Sequence, residues 1–412
     1  EAADKGVKTV LVITAGYGET GDESDRAAQR EIAALARERK LLLVGPNCAG
    51  VASPAPNRLY CGMLSRFPSE GGMTVISQSG NIGNTTMTWA SIHQRGLARF
   101  ISTGNEASAS KEDYLRFAAR DPRTQSVLMY VEGTESGRDL YDALHTTAAA
   151  KPVVVIKGGR SDAGKKAAAS HTGSLATSAR LFEAACRQAG ATTANDVYEA
   201  MEAAALFPCQ PLPKGRRVAI VSQGGGWGVI GTDACAEAGL DVTPLPQDLL
   251  DSLDKILPEW WSRNNPIDLV AGNDLSVLPR VVEEVIRHPA IDGVILLGVG
   301  YICAAAARYE HSALAQKHGL DKLVEFGVLK ECEDTRTLTT LRTQYGKPLL
   351  IASDTALHAY GARRNEVIAL LEKEGVYVFA NPAHAARAFA HLAARYEFLH
   401  EMPRKGGYIA SE

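Results

Sequence analysis

The sequence predicts an α/β protein built largely from two copies of one doubly wound domain with a parallel sheet. Three observations carry this. Apolar, β-branched strand runs alternate with helical stretches along the chain. Thr74–Gly83 (TVISQSGNIG) and Val218–Gly228 (VAIVSQGGGWG) share a strand running into Ser-Gln and then glycine, with Ser77 and Ser222 145 positions apart. Matched landmarks follow each in the same order. Pro122 to Gly133 and Pro289 to Gly300 both span eleven positions, enclosing VLMYVEG and VILLGVG. Lys151-Pro152 before VVVIKGG and Lys347-Pro348 before LLIAS then open a buried-looking strand in each copy.

In chain order, Val7–Ile13 reads as a strand, Asp25–Lys40 as a helix and Leu41–Gly45 as a second strand ending in Gly-Pro. One β-α-β unit leaves too little core to fold alone, because a parallel sheet needs both faces covered. The opening is therefore expected to be part of a domain whose first strands are either missing or supplied elsewhere. Pro54, Pro56 and Gly71-Gly72 mark a boundary, giving an opening segment over 1–70 and the first copy over 71–210. Pro208, Pro211 and Pro213 separate the copies, and the second runs over 211–402 before a polar tail, 403–412. The second copy is the longer, with extra residues around Lys255–Asn273 and Tyr301–Leu341.

The chain has 412 residues, 45% hydrophobic and 22% charged, with a net charge of −3, which suits a protein of several globular domains. Lys and Arg are spread along it, giving no electrostatic footprint for nucleic acid or an anionic membrane. Cys48, Cys61, Cys186, Cys209, Cys235, Cys303 and Cys332 are scattered and never form a C-x-x-C pair. They read as reduced thiols of a cytoplasmic protein, with neither a disulfide framework nor a metal site expected. No run of about eighteen apolar residues is present to span a bilayer.

The two Ser-Gln turns carry the first chemical signal. A strand that ends in small residues and feeds a helix leaves the first helical N–H groups pointing outward, where glycine admits an anion and the helix dipole favours it. Ser77, Gln78, Ser79 and Gly80, with Ser222, Gln223, Gly224 and Gly225, are thus candidate phosphate-binding residues. Tight strand–helix packing explains either turn equally well on its own. Pseudo-symmetric packing of two copies could aim both helix starts at one phosphoryl group. Neither turn has the full G-x-G-x-x-G with a following acidic residue, and no Walker A sequence is present. The second signal is KKAAASHTGS, Lys165–Ser174, a small-residue loop after a buried strand with one histidine, His171. Thr172, Gly173 and Ser174 can open a helix and donate to phosphate. A lone histidine is more often structural than catalytic.

Taken together, His171-Thr172-Gly173-Ser174, Gly45-Pro46-Asn47, Ser77-Gln78-Ser79-Gly80, Thr103-Gly104-Asn105 and Glu132-Gly133 resemble the NDP-forming acyl-CoA synthetase superfamily, in that family's motif order over nearly all of the chain. Its members include ADP-forming acetyl-CoA synthetase and, more distantly, the α subunit of succinyl-CoA synthetase. The resemblance implies a partial Rossmann-like CoA-binding domain followed by two flavodoxin-like domains of the succinyl-CoA synthetase type. It implies a catalytic pair, with His171 phosphorylated and Glu132 orienting it. It also implies CoA or acyl binding around Gly16, Glu19, Pro46, Asn47 and Asn105. The implied reaction interconverts carboxylate, CoA and NTP with acyl-CoA, NDP and phosphate through an acyl phosphate and a phosphohistidine. ATP or GTP with Mg2+ would be bound by an ATP-grasp partner domain, fused or separate, in an oligomer acting on a small carboxylic acid.

The chain departs from the family pattern in places. The glycine-rich start of the CoA-binding domain and the ATP-grasp domain are absent from it, and Ser108 stands where many relatives carry an acidic residue. Cys48, inside Gly-Pro-Asn-Cys, is read as a small packed residue, not a nucleophile. Trp227, inside the second turn, either closes over the phosphate site or packs. Trp260 and Trp261 either wall an acyl site or staple the Leu257–Asp268 loop to its domain. Two other functions stay open at this point: an inactive CoA- or acyl-CoA-sensing module of the same superfamily, and an NAD-dependent dehydrogenase using one glycine turn.

Overall fold

The computed structural model describes the chain apart from residues 165, 167–177, 270–275, 310–311, 358, 361–362 and 402–412. Two compact units result, Glu1–Pro208 and Cys209–Glu412. In the first, β1 (Thr9–Leu11) and β2 (Leu42–Val44) pair in parallel across α1 (Glu23–Glu38). Asp22 caps α1, its side chain accepting from Ser24 N–H at 2.8 Å, and Glu23 and Asp25 sit in the first turn, where the dipole favours them.

The main sheet of this unit combines β3 (Gly50–Ser53), β4 (Leu59–Gly62), β5 (Glu70–Ser77), β6 (Leu97–Ser102), β7 (Ser126–Val131), β8 (Val153–Lys157) and β9 (Thr192–Ala194) in the order β4-β3-β6-β5-β7-β8-β9. β5 to β9 are parallel, whereas β3 runs antiparallel to both β6 and β4. Residues 50–62 therefore join this sheet as an edge ribbon, although the sequence groups them with the opening segment. α2 (Gly80–Ile92), α3 (Lys111–Arg120), α4 (Gly137–Ala150), α5 (Ala179–Gln188) and α6 (Val197–Leu206) connect and cover the strands. Val75, Phe100, Leu128, Met129 and Val154 are at most 1% exposed, which makes these strands continuous apolar runs between helical layers.

The second unit repeats the plan. It contains β10 (Val218–Ser222), α7 (Gly225–Glu237), α8 (Gln247–Leu253), β11 (Ile267–Asp268), α9 (Val277–Arg287), β12 (Gly293–Leu297), α10 (Tyr301–Tyr309), α11 (Ala313–Lys317) and α12 (Leu320–Tyr345). β13 (Leu349–Ala352), a small antiparallel pair β14 (Ala359–Tyr360) and β15 (Arg363–Arg364), α13 (Glu366–Lys373), β16 (Val378–Phe379) and α14 (Pro382–Glu401) complete it. Its parallel sheet has the order β11-β10-β12-β13-β16. Counted from the Ser-Gln strand, both repeats read 2-1-3-4-5, the flavodoxin-like order. That order puts the topological switch point beyond the carboxyl end of the first strand, where open sheets bind ligands. Ser77 and Ser222 are the last residues of those strands. Among the described residues no helix is long and apolar enough to cross a membrane.

Candidate functional site

At the first turn, Ser77 Oγ donates to Ser79 O at 2.6 Å, and Ser79 Oγ accepts from Ile82 N at 3.4 Å to cap α2. The side-chain oxygen of Gln78 turns the other way, accepting from Glu132 N at 2.6 Å and Gly133 N at 3.2 Å. The Ser-Gln turn and the Glu-Gly turn are thus one structure: Gln78 fixes the backbone from which the Glu132 side chain leaves.

Glu132 follows β7 and is 6% exposed. Lys157, ending the neighbouring β8, donates from Nζ to Glu132 O at 2.6 Å and to Gly158 O at 2.5 Å. The Tyr130 phenol bonds the Glu132 carboxylate; burial first, and the carboxylate second, push its pKa up. The second carboxylate oxygen, Oε2, is buried without a partner among the described residues. A buried acceptor left unmade costs about 1–3 kcal/mol, more when charged. Beside it, a Cβ on Gly158 would lie 2.5 Å from Tyr130 Oη and 3.4 Å from Glu132 Cγ, so a larger residue there would have to displace the Tyr130 phenol. Gly158 opens the stretch that carries His171. His171, Thr172, Gly173 and Ser174 themselves lie outside the described residues.

The residues proposed for CoA or acyl binding converge at the edge of the opening segment. Asn105 Nδ2 donates to Glu19 Oε2 and, at 2.9 Å, to Gln29 Oε1, while Asn47 Nδ2 donates to Asn105 Oδ1 at 3.2 Å. Glu19 Oε1 accepts from Gly16 N at 2.6 Å, and Asn105 N donates to Pro46 O at 2.9 Å. Partial burial works against the Glu19 charge, but hydrogen bonds from Asn105 and from the backbone of Gly16 and Tyr17 outweigh it, leaving the carboxyl below its usual range. Gly104, at φ +58°, is irreplaceable, since a Cβ there would lie 2.1 Å from Pro46 O. Cys48 is 3% exposed and donates to Val12 O at 3.4 Å, and burial raises its pKa, the state of a packed thiol.

Three residues here escaped the sequence reading. Gln29, on α1, also accepts from Gly18 N at 3.0 Å, but in sequence it is one of many polar helix residues. Lys111 and Glu112 open α3 with the look of a solvated turn, yet they are 3% and 4% exposed. Lys111 Nζ lies 2.8 Å from Glu106 Oε2 and 3.4 Å from Glu112 Oε1. Thr103 Oγ1 donates to Glu106 Oε1 at 2.8 Å, and Thr134 Oγ1 to Glu112 Oε1 at 3.1 Å. Burial lifts the Glu106 carboxyl above its usual range, with Lys111 and Thr103 pulling the other way. A buried ionic chain therefore joins the Asn105 loop to the Glu132 turn.

At the second turn, Ser222 Oγ donates to Gly224 O at 2.7 Å, and α7 begins with no side-chain cap. Gly225 and Gly226 are exposed, which leaves their N–H groups open to an anion. Asp268 stands beside them, its Oδ2 2.9 Å from where a Cβ on Gly225 would be. Trp227 bonds the Tyr301 phenol, whose pKa is pushed up to about 12, chiefly by burial and then by Asp354. In the Leu257–Asp268 loop the two tryptophans part company. Trp261 is 4% exposed in the core of the unit, its Nε1 donating to Asp254 Oδ1 at 2.9 Å, while Trp260 is 75% exposed.

Residues 70–207 match the succinyl-CoA ligase like flavodoxin domain, and residues 218–316 match the ligase-CoA domain. The α subunit of acetate–CoA ligase (ADP-forming) II of Pyrococcus furiosus is 31% identical over 99% of this chain and 82% of its own length. The isoform I α subunit of the same organism is 32% identical over 95% of this chain and 78% of its own. Among solved structures, an acetyl-coenzyme A synthetase of Ca. Korarchaeum cryptofilum, in complex with phosphate and ADP, covers all of this chain and 82% of its own at 26% identity, with a TM-score of 0.81.

Proposed function

Because this chain belongs to the NDP-forming acyl-CoA synthetase superfamily and is an acid–thiol ligase component, we propose that it carries a phosphoryl group on His171, with Glu132 orienting the imidazole. The observation that supports this best is the buried, unpartnered Oε2 of Glu132, whose backbone is fixed by Gln78 and Lys157 and whose carboxylate is bonded by Tyr130. A carboxylate that takes the N–H of one imidazole nitrogen leaves the other free to attack phosphorus.

In the acyl-CoA-forming direction, His171 takes the terminal phosphoryl from NTP and releases NDP. The carboxylate substrate then takes that group, giving an acyl phosphate and free histidine. The CoA thiol attacks its carbonyl, expelling phosphate. The cluster of Gly16, Glu19, Pro46, Asn47 and Asn105 is assigned to CoA or the acyl group. The anion-binding N–H groups are those of the Ser77–Gly80 turn, the Thr172–Ser174 stretch and the Ser222–Gly225 turn. Both Pyrococcus relatives are named as α subunits, which supports a separate partner carrying an ATP-grasp domain for ATP or GTP. Among the described residues the one grouping of metal-capable donors includes two thiols, poor ligands for Mg2+, so Mg2+ is assigned to that partner and no step on this chain runs through it. The relatives favour neither the inert sensor nor the dehydrogenase.

Incubation with acyl-CoA and phosphate, or with ATP and the partner, is expected to give an acid-labile, base-stable phosphoprotein. His171→Ala is expected to abolish it. Labelling and turnover that persist in that variant overturn the reading. The isolated chain is expected not to hydrolyse ATP.

A further inference from the structure

The second unit also gathers a donor set that shares no residue with its glycine turn. Cys303 lies in the first turn of α10, Cys332 in the middle of α12, and Glu366 is the first residue of α13. One ligand atom from each lies within 4.8 Å of the others. Sequence inspection misses the group, because the cysteines are 29 positions apart and Glu366 is 34 further on. Cys303 is 7% exposed, Cys332 is half-buried and Glu366 is partly exposed.

The surroundings are those of a site built for positive charge. The two thiols are hydrogen-bonded to one another, and the Cys303 thiol is hydrogen-bonded to the Glu331 carboxylate. Glu331 itself accepts from the N–H of Ile302 at 3.4 Å and of Cys303 at 2.9 Å, which fixes the start of α10. The Val367 N–H, at the start of α13, points at the Cys303 sulfur. Burial raises the pKa of both thiols and of Glu331, and each carboxylate near a thiol raises it further, with Arg336 the opposing charge beside Cys332.

We propose that Cys303, Cys332 and Glu366 bind a thiophilic divalent cation of the Zn2+ class. Two sulfurs and one carboxylate oxygen are a soft, mixed donor set that selects such a metal over Mg2+ or Ca2+. Bond lengths of about 2.0–2.3 Å put tetrahedral donors about 3.3–3.8 Å apart, so closing around the ion needs side-chain shifts of about an ångström. The ion replaces the thiol protons. One cation, two thiols and one carboxylate give a complex with a charge of −1 and two released protons. The site would pin α10, α12 and α13 together.

The test uses the full chain, kept reduced and stripped with a chelator, and reads metal binding instead of activity, so its outcome is independent of the phosphohistidine assignment. Co2+ is expected to give a thiolate charge-transfer band at one equivalent. Zn2+ is expected to bleach that band and to release two protons per ion, read by titration calorimetry in buffers of different ionisation enthalpy. Cys332→Ser is expected to weaken binding at least hundredfold and to reduce proton release to one. Glu366→Gln is expected to weaken it about tenfold while keeping the charge-transfer band. Circular dichroism melting confirms that each variant is folded. Absence of the band in the parent chain, or a band undiminished in folded Cys332→Ser, overturns the proposal.

Discussion

The two repeats share a scaffold and part at the residue that follows their third strand. In each, the Gln after the strand serine donates its backbone N–H to the third strand, Gln78 to Tyr130 O at 3.2 Å and Gln223 to Leu297 O at 2.9 Å. In each, a side chain at the end of the fourth strand takes the carbonyl two residues further on. Lys157 does so on Glu132 at 2.6 Å, and Ser353 on Val299 at 2.8 Å. The position that holds glutamate in the first copy holds valine in the second. Fold and turn are thus duplicated, while the carboxylate is confined to one copy. The lesson is that a duplicated turn can keep its backbone while the side chain beside it changes from a carboxylate to an apolar group.

The sharpest way to break this comparison is Glu132→Gln. It should lower phosphohistidine formation by about two to four orders of magnitude in rapid-quench labelling, with CoA affinity unchanged. Undiminished labelling would mean that the copies do not differ in the way described.

The extension that makes the second copy longer is next. Trp261→Ala should destabilise the second unit by about 3–5 kcal/mol, and Trp260→Ala by less than about 0.5 kcal/mol, in denaturant titrations. Equal losses would show that the loop is not stapled by Trp261. A fall in kcat/KM for the preferred acid alone, in Trp260→Ala, would give that side chain a part in the acyl site.

Tyr130→Phe tests how far the first copy depends on support for its carboxylate. A hydrogen bond to a charged group contributes about 1.5–3 kcal/mol, so phosphorylation should slow about ten- to hundredfold at unchanged KM. A shift in KM alone would make Tyr130 structural.

The smallest effect concerns Glu19, which belongs to the opening segment and lies outside both copies. Its folded pKa is below its usual 4.5, so its stabilisation is complete above that value and is lost as pH falls through the folded one. Asn105→Ala should therefore shrink the drop in Tm on acidification by about 1–2 °C, a small change because Glu19 is largely hydrated. A larger acid sensitivity in the variant would reverse that sign.

Much of the architecture was legible because it rests on local pattern. Strand runs, Lys-Pro starts and equal Pro-to-Gly spacings repeat in sequence as they do in space, and they located β7, β8, β12 and β13 closely. Glu132 was legible through its neighbour Gly133 and the family motif. What supports Glu132 was not. Tyr130 and Lys157 look like an ordinary strand residue and a strand-end cation until two parallel strands put them around one residue, Tyr130 on its carboxylate and Lys157 on its backbone carbonyl. Likewise, Lys111 and Glu112 carry the composition of a wet helix start, and only the packing of α3 removes them from water. The edge ribbon of residues 50–62 was missed because antiparallel pairing to β6 leaves no trace in short runs such as GVAS. Cys303, Cys332 and Glu366 meet only through three helices, and no spacing rule spans those distances.

The ionic chain from Glu106 through Lys111 and Glu112 to Thr134 has a mechanical meaning. Buried charges cannot be pulled apart cheaply, since stranding one costs about 3–5 kcal/mol, far above thermal energy. Tilting the loop of Asn105 away from the turn of Glu132 would therefore have to break one of these buried contacts, which sets an energetic tie between the two loops.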